Sequence, residues 1–343
     1  MVITYNVLKE VHLSENIDVY TEFSPIGKYK FLFDDYIFRG ESNTYKLLPS
    51  ALREDKYSFN KLFNFAGFNT SSDGINFEHP QRNFEYFYQM AELRAIKRFY
   101  DLADQKGLNL PDVPFLRKEI LNPSSFVFNV RKELGDVWIP DDLLEIAALA
   151  QHYGVPTRLI DWTSNIYTSL YFASIGVIKN RLCNGDMVLY ALNYRMIEFL
   201  KNSTSKIPLR LIRPAHYRNP NSSYQKGILS CWSYSHFDII DSLDVVGENS
   251  NIKMPLIDTS SLDVLMQDYV NKNNITWGSA DGSMEDPLIY KFYIPHSKAY
   301  EIYDLVTKLG YGADNLFTGF DGIVKRMEED TIYNREKNNI KSF

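Results

Sequence analysis

The residues whose types and spacing suit ligand chemistry are crowded into one stretch, QHYGVPTRLIDWTS at 151–164. It places His152, Tyr153, Arg158, Asp161, Trp162, Thr163 and Ser164 close together, a density of polar groups that a plain core segment does not need. Asp161, Trp162, Thr163 and Ser164 stand where a short strand hands over to a helix. Exposed N–H groups and hydroxyls at such a helix start make a mouth for an anion or a ribose. A second candidate is Arg39-Gly40, which ends the β-rich triplet Tyr36-Ile37-Phe38. A strand ending there delivers a guanidinium to the rim of a sheet, and the glycine lets a ligand or a neighbouring backbone approach. The most positive segment carries Arg210, Arg213, His216 and Arg218. Such a loop either receives phosphates or is simply solvated.

Elements must position these groups. In LLEIAALAQHYG, Leu144, Ala147, Ala148 and Gln151 recur at helical intervals, and Gly154 is a helix stop. Pro156 disfavours helix at Val155, so RLIDWTS reads as a strand with its exit turn. Ser164-Asn165 can cap the next helix, whose Ile166, Leu170 and Ala173 define a buried stripe. Upstream, a helix over 84–107 carries Phe84, Phe87, Tyr88, Ala91, Ala95, Phe99 and Leu102 on one side. MVLYAL and PLIYKFYIP alternate as strands, another strand follows Gly227, and KAYEIYDLVTKLG is a helix closed by Gly310. Residues 1–28 read as a polar lead-in, and the stretches near 56–80 and 235–285 as loop-rich insertions. This mixture predicts an α+β fold in which helices pack on a central mixed or antiparallel sheet.

Composition narrows the function classes. The chain has 343 residues, 45% of them apolar and 15% aromatic, enough to bury one large core or two modest ones. With a net charge of −6 and no long basic run, it does not advertise a general grip on nucleic acid or anionic membrane. No apolar run approaches the ~18 residues of a membrane span, and the start is not signal-like, so the expected location is cytoplasmic. Cys183 and Cys231 stand in no metal-like spacing, and neither a metal site nor a disulfide is expected. HExxH, GxSxG, P-loop and Cys-His patterns are missing, which argues against a hydrolase or nuclease.

Five landmarks occur in order: Phe38-Arg39-Gly40, LPSALR at 48–53, QHYGVPTRLIDWTSNIYTSLYFA at 151–173, Gln225-Lys226-Gly227, and LFTGFDGI at 316–323. Together they resemble the FRG domain family. The resemblance implies a single FRG-type domain with its core at about 15–327. The chain departs from the family at Leu229, where an aromatic is usual, and in LFTGFDGI, where the family usually reads LFPDLDG. The order of landmarks is similar to the layout of ADP-ribosyltransferase folds. That likeness implies NAD as cofactor, with ADP-ribosyl transfer or NAD glycohydrolysis as the reaction, in a setting of bacterial stress or phage defence. Arg39, Gln225 and Asp161 are then the catalytic candidates. Arg39, Gly40, His152, Tyr153, Arg158, Trp162, Thr163 and Ser164 are the cofactor-binding ones. Arg39 would hold phosphate or ribose, Thr163 and Ser164 the nicotinamide-side ribose, Tyr153 or Trp162 a ring, and Gln225 a ribose hydroxyl or the acceptor. A glutamine lacks the charge that a glutamate offers a developing oxocarbenium ion; Asp161, Asp321 or Glu41 could take that place. The acceptor, protein or nucleic acid, is not specified.

Plainer roles stay open. Arg39 can pair with Glu41, and Arg158 with Asp161 across the strand. Trp162 can be core, Thr163-Ser164 only a helix cap, His152 a hydrogen-bonded turn residue and Asp321 a turn former. A second function class is a non-catalytic module that binds a nucleotide or a partner in the same cleft.

Overall fold

The computed structural model describes residues 5–53, 56–68, 84–118, 130, 132–203, 206–214, 225–235, 255–277 and 286–341. His216, Arg218 and, of the two expected insertions, residues 69–80, 236–254 and 278–285 lie outside them. The strands are β1 Leu8–His12, β2 Tyr36–Glu41, β3 Val137–Trp138, β4 Leu159–Thr163, β5 Asp186–Asn193, β6 Leu209–Ile212, β7 Gly227–Trp232, β8 Tyr234–Ser235 and β9 Ile289–Pro295. The helices are α1 Val19–Glu22, α2 Leu32–Asp35, α3 Lys56–Phe65, α4 Glu85–Asp104, α5 Pro114–Lys118 and α6 Asp141–His152. They continue with α7 Ile166–Asn180, α8 Tyr194–Asn202, α9 Leu262–Asn273, α10 Ala299–Lys308, α11 Ala313–Leu316 and α12 Gly319–Lys341. The fold is α+β. No helix among the described residues is long and apolar enough to cross a membrane.

Two compact units share the chain. A sheet unit comprises Met1–Leu47, Asp161–Leu229 and Ser261–Phe343, and a helical unit comprises Leu48–Ile160 and Ser230–Ser260. The boundaries therefore fall inside β4 and β7.

The sheet unit is built on strands in the order β1-β9-β5-β2-β4-β7-β6. Pairing is mixed: β1 runs parallel to β9, whereas β9–β5, β5–β2 and β2–β4 are antiparallel. Alternation decides which face is covered. Tyr36 and Phe38 of β2, Met187, Leu189 and Ala191 of β5, and Tyr290, Phe292 and Ile294 of β9 share one core with Leu170, Ala173 and Val177 of α7 and Ile302 and Val306 of α10. The fully buried Leu, Ile, Val, Phe and Met side chains among them contribute about 1.5–3 kcal/mol each. Because successive strand residues point to opposite faces, Ile37 and Arg39 project away from α7. Gly40 shows how tightly α7 sits: a Cβ there would come within 1.8 Å of the Ser169 carbonyl oxygen. Residue 40 thus meets a neighbouring backbone, one of the two roles open to it.

The helical unit gathers Leu62, Phe63, Ala66 and Phe68 at α3, Tyr88, Ala91 and Ala95 of α4, and Ala150 of α6 into its own core. Its α6 ends as the glycine signal predicts: Gly154 has φ +88°, and the Val155 N–H returns to the Ala150 carbonyl at 3.0 Å.

Some expectations are corrected. Residues 56–65 form α3 rather than loop, because Leu62 and Phe63 are fully buried in a pattern too aromatic to show a clean period. The lead-in contains β1, whose polar LKEVH sequence is organised by in-register pairing of Leu8–His12 with Ile289–Tyr293, not by its own alternation. Inside 235–285, α9 buries Leu262, Met266 and Val270. On α4, Leu102 is exposed, and the buried face instead includes the polar Glu85, Gln89 and Glu92.

Candidate functional site

The chemistry-bearing residues divide between the units. His152, Tyr153 and Arg158 belong to the helical unit; Arg39, Gly40, Asp161, Trp162, Thr163, Ser164 and Gln225 belong to the sheet unit.

In the helical unit, Arg158 does not pair with Asp161. Its side chain is fully buried and lies against α4, with Nε 2.8 Å from Glu92 Oε2 and Nη1 2.8 Å from Glu85 Oε1. Glu85 and Glu92 are seven residues apart, hence on one helix face. Trp138 Nε1 donates to Glu92 at 2.8 Å, and the guanidinium lies 4.6 Å from the Tyr234 ring centroid. Burial opposes a charge on Arg158, but the two carboxylates outweigh it and raise its pKa. Burial lifts Glu92 to about 7 against the pull of Arg158, with Glu85 adding to the rise. Such a cluster is costly to break and closed to a ligand. His152 ends α6 and is exposed; Tyr153 is 67% exposed, with its ring 6.3 Å from that of Phe99.

In the sheet unit, Arg39 leaves the β2 face opposite α7. Nε donates to Glu41 at 2.8 Å, Nη2 is 2.5 Å from the same carboxylate, and Nη1 donates to the Asp161 carbonyl at 2.9 Å. The Asp161 carboxylate stands 3.8 Å from Nη1. Only Phe38 and Thr163 pair β2 with β4, so beyond that pair the guanidinium itself ties the strands together. Burial works against its charge, yet Glu41 and Asp161 raise its pKa above the ordinary arginine value. The side chain is 14% exposed, Asp161 67%. Arg39 thus takes the Glu41 pairing, with its donors directed inward.

The exit of β4 is latched to the 225–226 turn. Thr163 Oγ1 donates to the Gln225 carbonyl at 2.6 Å, and the Ser164 N–H donates to the Lys226 carbonyl at 3.2 Å. Gln225 Nε2 donates to the Leu316 carbonyl at 3.1 Å, which leaves its amide a clamp between loops. Asn165 caps α7, its Oδ1 accepting from the N–H groups of Tyr167 and Thr168 at 2.9 and 3.3 Å. Of the donors expected to form an anion mouth, the Tyr167 and Thr168 N–H groups are therefore occupied by the cap. Trp162 is 3% exposed and offers no ring face for stacking. Asp321, the other carboxylate candidate, lies in the first turn of α12 and is exposed.

The open chemistry lies beside this latch. A pocket of about 230 Å³ is lined by Ile37 of β2, Ser164, Tyr194 and Glu198 of α8, Leu211 and Ile212 of β6, Arg213, and Ile228 of β7. Ile37 is on the Arg39 face of β2, two residues away. Among the described residues the Ser164 hydroxyl and the Arg213 guanidinium have no hydrogen-bond or ion-pair partner, and Glu198 has only Lys201 at 3.9 Å. Cation, carboxylate, hydroxyl and phenol thus surround an apolar floor. Sequence reading flagged Ser164 and Arg213 but missed Tyr194 and Glu198, which stand in none of the landmark motifs. A usable signal was present: Asn193, whose side chain accepts from the Met196 N–H at 2.9 Å, caps α8 as β5 ends and fixes which helical face returns to the sheet. Among the described residues no group of three or more His, Cys, Asp or Glu could hold a metal ion.

Neither the curated proteins nor the solved structures contain a match to this chain. The family model described as the FRG domain matches residues 117–180, which hold α6, β4 and α7 but neither Arg39-Gly40 nor Gln225.

Proposed function

We propose that the sheet unit binds a nucleotide-class ligand, NAD in the first instance, at the pocket beside Ser164, and cleaves its nicotinamide N-glycosidic bond. The single observation that supports this is the pocket's polar set, Ser164 and Arg213 without a partner among the described residues and Glu198 with only a 3.9 Å contact to Lys201, around an apolar floor of Ile37, Leu211, Ile212 and Ile228. Arg213 pairs with a phosphate, Tyr194 lies along a ring, and Ser164 and Glu198 receive ribose hydroxyls. At about 230 Å³ the space is smaller than the ~300–1,000 Å³ that encloses drug-sized ligands, so it takes one end of the dinucleotide. In the reaction the C1′–N bond breaks, nicotinamide leaves with the bonding electrons, and water or an acceptor hydroxyl adds to C1′ while its proton passes to Glu198. The Glu198 carboxylate also offsets the oxocarbenium charge that Gln225 cannot. Arg39, Asp161, Thr163 and Gln225 act as the frame that holds the β4 exit in place.

A second reading, a non-catalytic nucleotide-binding module, is favoured by one observation: the functional groups of Arg39, Thr163 and Gln225 are already bonded within the chain. Nicotinamide release separates the two. Purified protein incubated with NAD should release nicotinamide, and Glu198→Gln should slow this by about 10²–10³-fold. A melting shift with NAD and no release selects the binding module; neither shift nor release rejects both readings.

A further inference from the structure

α12 wears its sequence inside out. Phe320, Ile323, Val324 and Met327 recur at i, i+3, i+4 and i+7, the spacing that lays one apolar stripe along a helix. In a free-standing fold that stripe faces the core. Here Phe320 is 88% exposed, Met327 65%, Val324 54% and Ile323 49%. The opposite face, by contrast, buries a glycine and a carboxylate. A Cβ at Gly322 would lie 2.3 Å from the Phe317 carbonyl oxygen, and Glu329 is fully buried. Glu329 accepts from the Tyr171 hydroxyl at 2.8 Å, from Lys179 Nζ at 3.0 Å and from the Tyr303 hydroxyl at 3.3 Å. The helix is thus fastened by polar bonds on one side and presents a fixed apolar ridge on the other. An exposed contiguous patch of this kind marks an interaction site more often than chance.

The charges bordering the stripe select its occupant. Asp321 and Glu328, seven residues apart, run along one edge, both exposed and without an ion pair among the described residues. Asp330 stands by the other edge, bonded to Arg326 at 3.0 Å. A second copy of α12 is a poor fit: antiparallel pairing about Val324 brings Asp321 of one copy beside Glu328 of the other. We propose that this face of α12 docks an amphipathic helix of a partner protein, one whose apolar stripe is flanked by lysines or arginines. The site is separate from the pocket at Ser164 and does not depend on the function proposed there.

The test uses the full chain and two labelled synthetic helices, each with leucines on one face, one edged by lysines and the other by glutamates, followed by fluorescence anisotropy. The lysine helix should bind at least about tenfold more tightly than the glutamate helix. Asp321→Lys with Glu328→Lys should reverse that preference. Phe320→Ser with Met327→Ser should weaken the lysine helix by about tenfold or more without lowering Tm, because both side chains are exposed. Equal binding of the two helices, or undiminished binding to the serine variant, overturns the proposal. So does a concentration-dependent dimer that Phe320→Ser abolishes, which would assign the face to a second copy.

Discussion

Arg39 lies inside β2 and Arg158 just before β4, both within landmark motifs, yet the two surroundings set them different tasks. Arg158 lies with its whole side chain out of water between Glu85 and Glu92, a closed centre that gives the helical unit its interior anchor. Arg39 spends its donors on Glu41 and on one backbone carbonyl, while Asp161 beside it remains mostly exposed. Each arginine is answered by carboxylate, and neither offers a free fork to a phosphate. The cation without a partner among the described residues of the pocket is Arg213, which no landmark contains. An arginine's place in a motif therefore says where it sits, and its neighbours say whether it is available.

The sharpest way to break this contrast is to remove each cation in turn. Arg158→Ala leaves buried Glu85 and Glu92 without a counter-charge and should cost about 3–5 kcal/mol, read as a fall in the urea midpoint or as failure to fold. Next in size is the pH response of the same centre. Glu92 is raised from the ordinary carboxylate range to about 7, so its contribution is fully present below about pH 4.5 and is lost as pH rises through 7. Stability should thus fall by on the order of 2 kcal/mol between pH 5 and pH 8, and Glu92→Gln should flatten that slope. Arg39→Ala removes the tie between β2 and β4 and should cost about 1–3 kcal/mol, measured by thermal unfolding. Arg213→Ala and Glu198→Gln should move stability by no more than about 0.5 kcal/mol, since neither holds the fold.

Much of the fold was legible in the sequence where its signals are local. Gly154, Pro156 and Asn165 punctuate the central helix, strand and helix where turn and cap chemistry places them, and PLIYKFYIP alternates as an antiparallel strand should. β1 was not legible, since LKEVH carries little pattern of its own and becomes a strand through β9. Glu85 and Glu92 stand outside the apolar stripe read along 84–107, because the charge that draws them inward, Arg158, is far along the chain. The candidate site was half visible for the same reason. Ser164 stands in the motif, but Tyr194, Glu198 and Arg213 reach the pocket only through the order of β2, β4, β7 and β6 in the sheet, which no short window records.

The central claim, that the pocket and not the Arg39 centre takes the ligand, is tested most directly by thermal shift with NAD across four proteins: wild type, Arg213→Ala, Glu198→Gln and Arg39→Ala. NAD should raise the Tm of the wild type, fail to raise that of the two pocket variants although their ligand-free Tm is unchanged, and still raise that of Arg39→Ala from a lower starting point. A shift that persists in both pocket variants and vanishes in Arg39→Ala at unchanged ligand-free Tm would contradict the assignment.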